Sequence, residues 1–140
     1  MLKRIFSLIG FLTVSFLLMA AGLSCSTDKI TASLGQEFTL PLGQTAVINS
    51  EVLTLKFVEV AADSRCARGV ECIWAGEAKC RMFIKYKGSA AGMTLTQPGG
   101  DAIAQDYFIQ FKISFQLEPY PEYGKQIASS DYKLVMTVTK

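Results

Sequence analysis

Residues 107–117, YFIQFKISFQL, constrain the fold more than any other stretch of this chain. Tyr107, Ile109, Phe111, Ile113, Phe115 and Leu117 occupy one parity, and Phe108, Gln110, Lys112, Ser114 and Gln116 the other. Successive side chains of a β-strand point to opposite faces. The alternation therefore predicts one strand with a buried face and a mostly solvated one.

Shorter stretches repeat the signal. EFTLPL and TAVIN read as strands either side of Gly43, and Pro41, lacking an N–H, suits a sheet edge. In EVLTLKFVEVA, residues 51–61, the apolar parity changes near Phe57, which predicts either two partly covered faces or a β-bulge. EAKCRMFIKYK places Ala78, Cys80, Met82, Ile84 and Tyr86 on one face. GSAAGMTLTQPGGD reads as a loop around a short strand at 93–96, and YKLVMTVTK as the last strand. EPYPEYGKQIASSD is a loop in which Tyr120 and Tyr123 stand apart from the aromatics expected in the core. No segment after the N-terminal region has helical periodicity. The fold class expected is all-β, a single antiparallel β-sandwich or barrel-like domain over residues 37–140.

The N-terminal region follows another rule. Lys3 and Arg4 precede an apolar run from Ile5 to about Ala21, then small residues, then Cys25, which is the order of a secretory signal. AAGLS before Cys25 resembles a bacterial lipobox, although Gly22 stands where leucine is usual and Leu23 where a smaller residue is common. The expectation is a signal peptide over 1–24, diacylglycerol on Cys25, and a flexible tether over 25–36. An uncleaved anchor helix, or ordinary cleavage with Cys25 free, are the alternatives. All three export the C-terminal part. Ser26 fits the enteric-type rule for outer-membrane delivery, so the expected location is the cell envelope, at the outer membrane or cell surface, with the membrane as first partner.

Composition narrows the chemistry. The chain has no histidine, which removes Ser-His and Cys-His nucleophile pairs and ordinary catalytic zinc sites. Once Lys3 and Arg4 leave with the leader, the remaining basic residues equal the 12 acidic ones. A neutral domain without a basic cluster carries no electrostatic footprint for nucleic acid. No cofactor or metal site is expected.

Chemistry-bearing residues crowd into SRCARGVECIWAG, residues 64–76. Cys66 and Cys72 flank a glycine-containing loop that a local turn can close. A disulfide there would contribute about 2 kcal/mol by the chain-entropy estimate, and an exported compartment preserves it. Cys80 falls on the apolar parity of its strand and reads as a buried thiol. Sequence leaves Cys72–Cys80 and Cys66–Cys80 open. Trp74 is expected to pack over the disulfide, and Gly76 to permit a close backbone approach. Asp63 or Ser64 is a candidate cap for one helical turn running into Cys66. Asp63–Arg65 and Arg68–Glu71 read as solvated ion pairs of small weight. The sharper reading makes Arg65, Arg68 and Trp74 a rigid binding patch, since arginine and tryptophan dominate hot spots and ordered loops lose less entropy on docking.

DSRCARGVECIWAGEA, residues 63–78, resembles the signature of a group of small bacterial envelope lipoproteins: Asp-Ser-Arg-Cys-Pro, four variable residues, Cys, one residue, Trp-Ala-Gly, and an alanine two further on. Asp63, Ser64, Arg65, Cys66, Cys72, Trp74, Ala75, Gly76 and Ala78 stand at the matching places. LGQ near the expected mature start, LTLKFVEV before the motif, the late PYP and the tyrosine-led final strand extend the likeness across residues 34–139. Ala67 replaces the usual proline, and Cys80 a plain apolar residue. The resemblance implies a location and an architecture and brings no reaction with it.

The function expected is therefore a lipid-anchored, non-catalytic binding or structural domain whose partner is an envelope protein or glycan. Two alternatives are an inhibitor of an extracellular hydrolase, a protease or lysozyme, and a glycan hydrolase using two carboxylates among Asp63, Glu71 and Glu77.

Overall fold

The computed structural model describes residues 29–100 and 102–140. The expected signal peptide and Cys25 lie outside the described residues. Nine strands follow in order: β1 (Lys29–Ala32), β2 (Glu37–Pro41), β3 (Thr45–Ile48), β4 (Leu53–Asp63), β5 (Glu77–Tyr86), β6 (Ser89–Pro98), β7 (Ala104–Phe108), β8 (Phe111–Glu118) and β9 (Lys133–Thr139). They form a five-stranded sheet, β1-β3-β4-β5-β6, and a four-stranded sheet, β2-β9-β8-β7. The sheets pack as a sandwich, with single 3-10 turns at Asn49–Glu51 and Ser129–Asp131.

Period-two burial makes the core. Phe111, Ile113, Phe115 and Leu117 of β8 are buried, while the residues between them are half-buried. Leu134, Met136 and Val138 extend that layer from β9. Facing them are Leu53, Leu55 and Phe57 of β4, Met82 and Ile84 of β5, and Leu95 of β6.

β4 resolves its parity conflict with two bulges. Phe57 pairs with Met82 and Glu59 with Arg81, leaving Val58 as an extra residue; Val60 then pairs with Cys80 and Ala62 with Lys79, leaving Ala61 extra. Phe57, Val60 and Asp63 thus oppose the inward residues Met82, Cys80 and Ala78, and Glu59 is spared burial. The double bulge delivers a carboxylate to the rim of the core at the strand's end.

Four expectations are corrected. Residues 29–32, read within the flexible tether, form β1. That strand pairs parallel with β3, so the sandwich is not wholly antiparallel. The short strand expected at 93–96 is the whole of β6, paired with β5 from Ser89 to Pro98. Residues 107–117 are not one strand: Phe108 pairs with Phe111, and Ile109–Gln110 is a two-residue turn. Across such a turn the inward parity inverts, so Ala104 and Phe108 face the core from β7 while Tyr107 and Ile109 are exposed.

Ile109 occupies this turn at φ +56°, a left-handed conformation that β-branched residues resist. Ile109→Gly should raise stability by about 0.5 kcal/mol, the relief of left-handed strain less glycine's extra chain entropy. Ser114→Gly, in the extended middle of β8, should lower it. Paired thermal melts check both.

Candidate functional site

The connection from β4 to β5 is stitched at its base. Ser64 N donates to Glu77 O at 2.8 Å and Cys66 N to Ala75 O at 2.9 Å, carrying the ladder past the strand ends. Gly76, at φ +71°, runs so close to Ser64 that a Cβ there would sit 1.8 Å from the Ser64 carbonyl oxygen. On the other side Gly99 N donates to Gly76 O at 2.8 Å, and a Cβ on Gly99 would lie 1.9 Å from Ala75 O. Only glycine fits either position.

Above this base Cys66 and Cys72 are bonded, with Cα atoms 6.0 Å apart. Cys80 is a free, buried thiol, and burial pushes its pKa up to about 12, so it stays protonated and unreactive. The closed ring is tied to the loop after β8: Arg68 N donates to Pro121 O at 2.9 Å, and Tyr123 N to Arg68 O at 3.1 Å. Two loops distant in sequence thus form one end of the sandwich.

Arg65 joins them to the core. Its side chain has no exposed surface. Nε donates to Asp63 Oδ1 at 2.8 Å and Nη2 to Asp63 Oδ2 at 2.7 Å, a two-pronged fork. Nη1 donates to Leu117 O at 2.7 Å, and Nη2 also reaches Pro119 O at 3.1 Å. Tyr132 donates its hydroxyl to Asp63 Oδ2 at 3.1 Å. The Tyr120 ring lies 5.0 Å from the Arg65 guanidinium carbon and 4.9 Å from that of Arg68. Burial by itself would raise the Asp63 pKa; the Arg65 fork, helped by Tyr132, outweighs it and holds the carboxyl below its usual value. Burial, then the Asp63 charge it faces, pushes the Tyr132 hydroxyl up.

Gln97, fully buried, completes the clasp. Its Oε1 accepts from Leu117 N at 2.6 Å and its Nε2 donates to Ala102 O at 3.5 Å. β7 stops pairing at Ala104, opposite Phe115. Leu117 therefore meets a carboxamide and a guanidinium where a neighbouring strand would have been. Both groups come from the five-stranded sheet's side of the sandwich, so they also bind one sheet to the other.

The site residues expected from sequence thus separate. Arg65 is a buried structural tie and presents no free guanidinium, and Asp63–Arg65 is not a solvated pair. No helical turn follows Asp63; Ser64 Oγ instead bonds Glu77 at 3.1 Å. Trp74 does not cover the disulfide: it is 82% exposed, beside Ile73 at 94%. Arg68 is exposed and lies over Tyr120. Glu71 is exposed, and Glu77 pairs with Lys79 at 2.8 Å. Gln97, Tyr120, Tyr132 and Ile73 were not singled out as site residues. Two of them had a local signal: Tyr120, set apart as a loop aromatic among prolines, and Ile73, an apolar side chain wedged between cysteine and tryptophan in a loop.

Two open recesses flank the clasp: one of about 470 Å³ beside Glu59, Asp63 and Tyr132, and one of about 230 Å³ beside Tyr120, Glu122 and Lys125. Among the described residues no cluster of acids and cysteines is arranged to hold a metal ion. The chain matches no protein-family model, and no curated protein or solved structure matches it.

Arg65→Ala strands a carboxylate and two β8-end carbonyls. It should destabilise the fold by about 3–5 kcal/mol, with Arg65→Lys recovering little because an ammonium lacks the fork. Asp63, whose pKa is depressed on folding, contributes stability that is complete above its unfolded value near 3.8 and is lost as pH falls through the lower folded value. Denaturant melts between neutral and acid pH should show this loss, and Asp63→Asn should flatten it.

Proposed function

We propose that this protein is a lipid-anchored, non-catalytic domain of the cell envelope, at the outer membrane or cell surface, acting by contact through the stapled end of its sandwich. One observation carries the reading. The buried and part-buried ionisable groups at that end, Asp63, Arg65 and Tyr132, are committed to structure, while Ile73, Trp74 and Tyr123 stand in solvent on a backbone fixed from both sides. Asp63 is locked to Arg65 with its pKa held down, the opposite of what a carboxyl acting as general acid requires. Single exposed apolar residues are ordinary, but adjacent ones on a rigid loop have the form of a docking element. The leader, Cys25 and the DSRC…C-x-WAG resemblance support the location. An envelope protein or a glycan remains the partner class, and no nucleic acid is implied.

The same rigid loop supports a second reading, an inhibitor that inserts Ile73 and Trp74 into an extracellular hydrolase. Protease and lysozyme assays with purified protein test it; absence of inhibition at micromolar concentration removes it.

Mass spectrometry without reduction tests the anchor. The expected result is diacylglycerol on Cys25 and the Cys66–Cys72 bridge. In denaturant one thiol, Cys80, should then react with an alkylating agent, and in native protein none. A second reactive thiol, at Cys25, would overturn the anchor.

A further inference from the structure

The fold gathers charge that the sequence scatters. Lys29, Lys56, Lys79, Arg81 and Lys85 come from three strands, and all project from the outer face of the five-stranded sheet, away from the core. Among the described residues of those strands, only Glu59 and Glu77 accompany them, in exposed pairs with Arg81 at 2.9 Å and Lys79 at 2.8 Å. The outer face of the other sheet is balanced, Lys112 and Lys133 against Glu37 and Glu118. The domain is thus polarised across its thickness.

At the centre of the cationic face the side chains form a shelf. Strand register places Lys29, Thr45, Lys56, Phe83 and Gly92 in one row across all five strands. Phe83 is 46% exposed, between Lys56 beside it and Lys85 two residues on. Among the described residues neither lysine has an acidic partner. The bulge in β4 turns Val58 outward near the ring. On the ring's other side Gly92 leaves space, and a recess of about 350 Å³ opens there beside Val58, Arg81 and Thr94. Nothing in the backbone demands that glycine: its φ is not left-handed, and a Cβ would meet no atom within 4 Å. A glycine inside a strand weakens it, and without a steric reason it marks a place where a ligand comes close.

We propose that this face binds an acidic polysaccharide, with one sugar ring lying on Phe83 over Gly92 and its anionic groups on Lys56, Lys85 and Arg81. A sugar ring presents a C–H face that packs on an aromatic ring, and hydroxyls around its edge. Each of the three cations has a threonine as its cross-strand neighbour: Thr45 beside Lys56, Thr54 beside Lys85 and Thr94 beside Arg81. Charge and hydroxyl therefore recur together along about 13 Å of β5, which suits a polymer that repeats both. The exposed Arg81–Glu59 pair has little energetic weight, so exchanging its carboxylate for a ligand's costs little. A single-stranded nucleic acid would call for several stacking aromatics, and the face offers one. The shelf lies about 20 Å along β4 from Asp63, apart from the stapled end, and it does not depend on the anchor.

Titration calorimetry on the full chain in neutral detergent tests the site with polygalacturonate, dextran sulfate, uncharged dextran, poly-glutamate and duplex DNA. At least one of the two acidic polysaccharides should bind, more weakly as salt rises, and dextran should not. Phe83→Ala should weaken that binding about ten-fold. Lys56→Gln with Lys85→Gln should weaken it and flatten its salt dependence. Gly92→Val is the sharpest variant: it should hold or raise the melting temperature, because valine suits a strand and has room, yet weaken binding by filling the shelf. Binding of neither acidic polysaccharide would overturn the proposal. So would binding indifferent to Phe83→Ala and Gly92→Val, which would leave charge alone at work. Poly-glutamate or DNA bound as tightly would overturn it in favour of an acidic protein or a nucleic acid. Trp74→Ser should leave the binding unchanged; its loss there would place the polysaccharide at the stapled end and sink the shelf alone.

Discussion

A guanidinium with no contact to water organises one end of this molecule. Removing charges from solvent is expensive, and a buried ion pair often stabilises no more than apolar groups of the same volume. What Arg65 supplies is geometry. Its planar fork donates to Asp63 from one sheet and aims its remaining N–H groups at Leu117 and Pro119 from the other. Apolar packing is tolerant of small slips between layers, whereas these bonds are satisfied in one arrangement. The relative placement of the two sheets, the course of the loop after β8 and the pose of the disulfide ring all follow from it.

The supports of Arg65 are layered in the same manner. The two bulges in β4 return Asp63 to the inward side after keeping Glu59 out of the core. Tyr132 gives the carboxylate a further donor, and Tyr120 covers the flat face of the guanidinium. Gln97 takes the Leu117 N–H that no strand reaches. Deleting one member leaves buried polar groups without partners, so the cluster behaves as a unit and its deletions should not add.

The fold class was legible because strand periodicity is local: β5, β8 and β9 can be read from alternation alone. The turn at Ile109–Gln110 was not, since it carries none of the glycine or asparagine that usually marks a two-residue hairpin. Apolar residues also happen to continue at odd numbers through a point where the inward parity inverts. β1 was hidden by its length: Ile30 and Ala32 alternate with Lys29 and Thr31 and face the core, but four residues of alternation inside a polar, small-residue stretch give too short a signal to read. At the site, the Cys66–Cys72 bridge and the tight passage at Gly76 were legible because both are settled within the loop. The burial of Arg65 was not. Its decisive acceptors lie 52 and 54 residues away, and a local reading pairs it with Asp63 in water. Trp74 was misplaced for the related reason that sequence does not say which side of a rigid loop faces the protein.

The backbone pairing of Arg68 with Pro121 and Tyr123 has a consequence for how such a chain can change over generations. The segment between the cysteines and the segment after β8 share one short stretch of ladder. A residue inserted in either would break register in the other, even though more than fifty positions separate them. Lengthening is tolerated only where the ladder is absent, near Gly124–Ile127 on one side and Val70–Glu71 on the other. Change in length is thereby confined to those two tips, while the spacing between the paired positions stays fixed.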